Sequence, residues 1–90
     1  MALILIKHGL ENPAEKIKMK AAKDEDSIVL IQNGIFWAVG NDALKDVRGK
    51  IYALEEDLLA RGYKKEDSKV ELIDYASFLD VVEKEDKFIG

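Results

Sequence analysis

The chain has 90 residues and a mass of 10.1 kDa, enough for one domain spanning 1–90 but too little for a second lobe with an interdomain cleft. Its 14 basic and 18 acidic residues leave a net charge of −4, which argues against a surface that clings throughout to nucleic acid or anionic lipid. It has no cysteine and one histidine, His8, so disulfides, Cys-ligated zinc, iron–sulfur clusters, thiol nucleophiles and multi-His metal sites are excluded.

In chain order, the first element is the unbroken apolar run Ala2-Leu3-Ile4-Leu5-Ile6. A run without alternation suits a strand covered on both faces. It is too short for a membrane span or a signal-peptide core, so a cytoplasmic protein is expected. Asn12-Pro13-Ala14-Glu15 then reads as a helix start, with Asn12 capping, Pro13 at the first helical position and Glu15 reaching back as in a capping box. Ala14, Ile17 and Ala21 recur at helical spacing and predict the buried face. Asp24-Glu25-Asp26-Ser27 forms the turn that follows.

Ile28-Val29-Leu30-Ile31 is the second predicted strand, closed by Asn33-Gly34. The apolar segment Ile35-Phe36-Trp37-Ala38-Val39 fits helix or strand by periodicity alone. A helix is expected, because a strand directly after Asn33-Gly34 would form an antiparallel hairpin at odds with the βα alternation elsewhere. Gly40-Asn41-Asp42 breaks it, and Leu44 and Val47 suggest a short extension. Ile51-Tyr52-Ala53-Leu54 is the third strand. Glu55-Glu56-Asp57 places negative charge at the next helix start, Leu58 and Leu59 supply its apolar face, and Gly62 suits its end. Val70-Glu71-Leu72-Ile73 is the fourth strand. Asp74 caps a last helix whose apolar stripe is Tyr75, Phe78, Leu79 and Val82. Four βα units predict an α/β fold of three α/β/α layers around a mostly parallel sheet.

Such sheets bind ligands outside the carboxyl ends of their strands, here loops 7–12, 32–35, 54–57 and 74–77. No glycine-rich phosphate loop occurs in them, and no cofactor or metal is expected. His8 occupies a loop where a base would stand, but no nucleophile can be assigned to it, and a surface loop residue is the better reading. Glu55-Glu56-Asp57 could offer oxygens to Mg²⁺, yet three consecutive helical residues point apart, which favours a solvated helix start. Lys64-Lys65 could meet phosphates, but neighbouring acids dilute them, and no direct nucleic-acid binding is expected. The unusual feature is Ile35, Phe36 and Trp37. They either fill the core or form part of an interface with another subunit, since aromatics are enriched at interface centres.

Three stretches carry a family resemblance: Ile28-Val29-Leu30-Ile31-Gln32-Asn33-Gly34-Ile35, then Ile51-Tyr52-Ala53-Leu54-Glu55-Glu56-Asp57-Leu58-Leu59-Ala60-Arg61-Gly62, then Leu72-Ile73-Asp74-Tyr75-Ala76-Ser77-Phe78. In order and spacing they resemble the DsrH/TusB family of the DsrE/DsrF/DsrH superfamily. The resemblance implies a subunit of a sulfur-relay assembly of the TusBCD or DsrEFH kind, serving 2-thiouridine formation at the tRNA wobble position or sulfur oxidation. Relay needs a thiolate that accepts and donates sulfane sulfur. The position matching the partner subunits' sulfur-accepting cysteine is Leu54, and Lys7-His8-Gly9 stands where some relatives carry another. No catalytic residue is therefore expected in this chain. The implied partners are Cys-bearing DsrE/DsrF-like (TusD/TusC-like) subunits, a second copy forming a dimer, or both. The alternative is a stand-alone homo-oligomeric binding module with no part in sulfur transfer.

Overall fold

The computed structural model describes every residue except 1, 11, 40–43, 45, 46, 85, 86 and 90, and only the backbone of residues 2 and 87–89. In chain order the elements are β1 (Ala2–Ile6), α1 (Pro13–Ala21), β2 (Ser27–Leu30), α2 (Ile35–Val39), β3 (Lys50–Leu54), α3 (Glu55–Ala60), β4 (Glu71–Ile73), α4 (Tyr75–Lys84) and β5 (Lys87–Ile89). Among the described residues the strands form one sheet, ordered β4-β3-β2-β1-β5. Every ladder is parallel, with Ile4 opposite Ile28 and Val29 opposite Tyr52. The α/β fold expected from the βα alternation is the observed one.

β1 to β4 advance in one direction across the sheet, whereas β5 returns to the far side of β1. Crossovers of one hand then place α1, α2 and α3 on one face and α4 on the other. The two core layers match this division. Met19, Trp37 and Leu58 from the three helices pack on Ile4, Ile6, Ile28 and Leu30. The opposite layer is smaller: Leu3, Leu5, Val29 and Ile73, covered by Phe78, Val81 and Val82 of α4. Alternate residues of β1 therefore serve different layers, which is why its sequence shows no polar face.

Several local expectations need correction. The fifth strand was not expected; three residues of mixed character have no periodic signal, and the strand exists because the free edge of β1 offers a hydrogen-bonding partner. The buried face of α1 is Glu15 and Met19, with Ala22 following, whereas Ile17 is 68% exposed and Ala14 and Ala21 face solvent. The face is turned because Glu15 goes inward to bind the backbone after β1. In α3, Leu58 is buried and Leu59 exposed, since a helix of fewer than two turns presents only one side to the sheet. In α4, Tyr75 and Leu79 are exposed, and the sheet-facing stripe is Phe78, Val81 and Val82. Residues 35–39 are helical as expected. The break at 40–42 lies outside the described residues, and of the expected extension the structure shows Val47 N donating to the Leu44 carbonyl at 3.2 Å.

Candidate functional site

The carboxyl end of β1 is fixed by a buried carboxylate. Asn12 Oδ1 accepts from Glu15 N at 3.1 Å, as its N-cap position predicts. The Glu15 side chain does not complete the box; it accepts from Lys7 N at 2.6 Å and His8 N at 3.0 Å. Lys18 Nζ lies 2.9 Å from its other oxygen. Burial is the largest single influence and pushes the Glu15 pKa up, but the hydrogen bonds from Lys18, His8 and Lys7 together hold it below the usual carboxylate value.

This latch presents residues 8–10 beside α2. His8, Gly9, Leu10, Asn12, Pro13, Phe36, Val39 and Tyr63 line a groove of about 800 Å³. Phe36 meets Tyr63 edge-on, with ring centroids 6.2 Å apart. Of the three residues considered for an interface, Phe36 alone is partly exposed in the groove. Ile35 and Trp37 are buried in the core of the single chain. His8 is exposed, as read from its loop position; its backbone makes the contacts, donating to Glu15 and accepting from Trp37 Nε1 at 3.0 Å.

A second depression, of about 500 Å³, lies on the α4 side at the carboxyl ends of β2, β3 and β4. Ile31, Gln32, Leu54, Glu56, Asp57, Tyr75 and Phe78 line it. Leu54 precedes the first turn of α3 in extended geometry and is 7% exposed. The acids that follow point apart. Glu55 pairs with Lys65 at 2.7 Å, Glu56 accepts from Tyr75 N at 3.1 Å and Asp57 accepts from Gln32 N at 2.6 Å. They form no chelate. Among the described residues no group of three metal-ligating side chains converges anywhere. Nor is any described helix long and apolar enough to cross a membrane.

Tyr63 and Gln32 were not singled out from the sequence. Tyr63 follows Gly62, whose φ of +84° reverses the chain after α3 and breaks any helical period. Gln32 has a φ of +51°, rare for a residue with a side chain. The Asn33-Gly34 turn signal marked its neighbourhood but not its geometry.

The DsrH like protein family model matches residues 11–88. Protein TusB of Escherichia coli K12 is 39% identical over 66 residues, covering 68% of this chain and 70% of TusB. TusB of Shigella boydii is 38% identical over the same share of each chain. The solution NMR structure of protein Tm0979 from Thermotoga maritima is 54% identical, covers 100% of both chains and superposes with a TM-score of 0.79. A second NMR structure, of TM0979 named as a candidate sulfur transferase, is 53% identical over 100% of both chains, with a TM-score of 0.71. Matched along nearly all of its length by the family model and by a shared fold, the chain belongs to the DsrH family.

Proposed function

We propose that the chain is a non-catalytic subunit of a sulfur-relay assembly, supporting 2-thiouridine formation at the tRNA wobble position through cysteines carried by partner subunits. One observation carries the reading: a member of this family has no cysteine at all. Sulfane sulfur travels on a thiolate, and Leu54 occupies the place matched to the sulfur-accepting residue. Kinship with TusB and with a candidate sulfur transferase supports the relay. The partners that complete it are Cys-bearing DsrE/DsrF-like subunits in the cytoplasm, bound to this chain or to a dimer of it. The test is incubation of the purified protein with ³⁵S-labelled thiosulfate or a persulfide donor, alone and with a co-expressed Cys-bearing subunit. No label remains on this chain after desalting, while the partner is labelled and co-purifies with it. Stoichiometric label on this chain, released by dithiothreitol, overturns the reading.

A further inference from the structure

The outer side of α1 is apolar where a surface helix is ordinarily polar. Glu15 and Met19 face inward, and at 3.6 residues per turn Ile17 stands on the opposite side of the helix. Ile17 is 68% exposed, and Ala14 and Ala21, about one turn to either side, are exposed as well. The three make one apolar ridge at helical-neighbour spacing. A β-branched residue is not a strong helix former, and here it buries little of its own surface. Neither local propensity nor the chain's own core accounts for Ile17.

The ridge is bordered by cations. Residues 12–23 hold four lysines and a single acid, Glu15, in a chain whose net charge is −4. Glu15 is buried, and its charge is committed to Lys18 at 2.9 Å. Lys18 also donates to the Leu5 carbonyl at 3.4 Å, which turns it toward the sheet. Lys16 and Lys20, on the other flank of Ile17, are exposed and have no acidic partner among the described residues.

Covering Ile17 brings a second surface within reach of both ammonium groups. A cation stripped of water without a counter-charge is unfavourable, so the covering surface carries acids beside its apolar residues. A second copy in two-fold contact through this face does not supply them. Its own α1 brings the same lysines and only the buried Glu15. An RNA backbone would satisfy the lysines but has no use for Ile17. Ala14 and Ala21 leave shallow steps beside Ile17, the relief into which the side-chain ridge of another helix packs.

We infer that the outer face of α1 docks a helix of a partner protein, one with an apolar stripe edged by aspartate or glutamate. Its apolar side chains close over Ile17 between Ala14 and Ala21, and its carboxylates meet Lys16 and Lys20. The inference is independent of sulfur transfer, since it needs no thiol on either protein.

The test is NMR titration of the ¹⁵N-labelled protein with a capped helical peptide whose leucine stripe is edged by glutamates, and with the same peptide edged by lysines. The glutamate peptide shifts resonances of Ala14, Ile17, Lys20 and Ala21, and the lysine peptide does not. The variants Ile17→Ser and Lys16→Gln/Lys20→Gln change exposed side chains, so both melt like the wild type. Affinity for the glutamate peptide falls about tenfold in each. Equal binding of both peptides, shifts clustered on another face, no shift at millimolar peptide or full affinity in either variant each overturn the inference. So does a short RNA duplex that shifts the same resonances and binds Ile17→Ser as well as wild type. Self-association that Ile17→Ser abolishes overturns it too, because a second copy then occupies the face.

Discussion

The indole Nε1 of Trp37 donates to the carbonyl oxygen of His8 at 3.0 Å, joining α2 to the loop after β1 across 29 positions of sequence. The ring is 6% exposed and packs in the larger core layer. Trp37→Ala therefore removes a core side chain and leaves a carbonyl without its donor. The expected loss of folding stability is about 3–5 kcal/mol, read from urea unfolding at several protein concentrations. Unchanged folding stability with an altered oligomeric state would instead place Trp37 at an interface.

Glu15 makes stability depend on acidity. Its folded pKa lies below the ordinary value of 4.5, so its contribution is fully present above that value. The contribution is lost as pH falls through the lower, folded pKa. Glu15→Gln puts an amide where two backbone donors and a lysine need a charged acceptor, and should cost about 1–3 kcal/mol at neutral pH. Guanidinium melts taken from neutral pH downward should show wild type and variant converging below pH 4.5. A constant gap between them at every pH would remove Glu15 from this role.

The imidazole of His8 is exposed, and the residue contributes through its backbone N–H and carbonyl. His8→Ala retains both atoms and should change stability by no more than about 0.5 kcal/mol. Thermal melts check the folding, and partner titrations check the groove. A more than tenfold loss of binding with an unchanged melt would make the imidazole a contact residue.

Two glycines separate close approach from backbone conformation. A Cβ on Gly34 would collide with the Ile6 carbonyl, coming within 2.7 Å of its carbon, because the turn after β2 passes directly over the end of β1. At Gly62 a Cβ meets nothing within 4 Å, and the difficulty is the φ of +84° alone. Gly62→Ala should cost about 1–2 kcal/mol. Gly34→Ala should cost more, since backbone must move to make room. The reverse order in chemical unfolding would mean that the turn relaxes without strain.

Local pattern was sufficient for the first four strands, the four helices and the parallel pairing. Continuous apolar runs, the Asn12 cap, the acidic start of α3 and Gly62 each report an interaction within a few residues. The aromatic segment 35–39 was legible as a helix for the same reason. Its burial was not, because whether a Trp fills a core or faces a partner depends on what the sheet and loop 7–10 place against it.

Tertiary structure alone decided which side of each helix turned inward. A 3.6-residue period identifies an apolar stripe, but Glu15 displaced Ile17 from the inner face of α1 because two free backbone N–H groups at the end of β1 needed a charged acceptor. The fifth strand, the groove that gathers His8, Phe36 and Tyr63, and the acidic depression that gathers Gln32, Asp57 and Tyr75 arise likewise from contacts between distant segments. A sheet ordered β4-β3-β2-β1-β5 brings those loops to one edge, and no local period encodes that adjacency. The absence of cysteine was legible from the first count and needed no fold. Only the fold shows that Leu54 lies in an apolar depression rimmed by the carboxylates of Glu56 and Asp57.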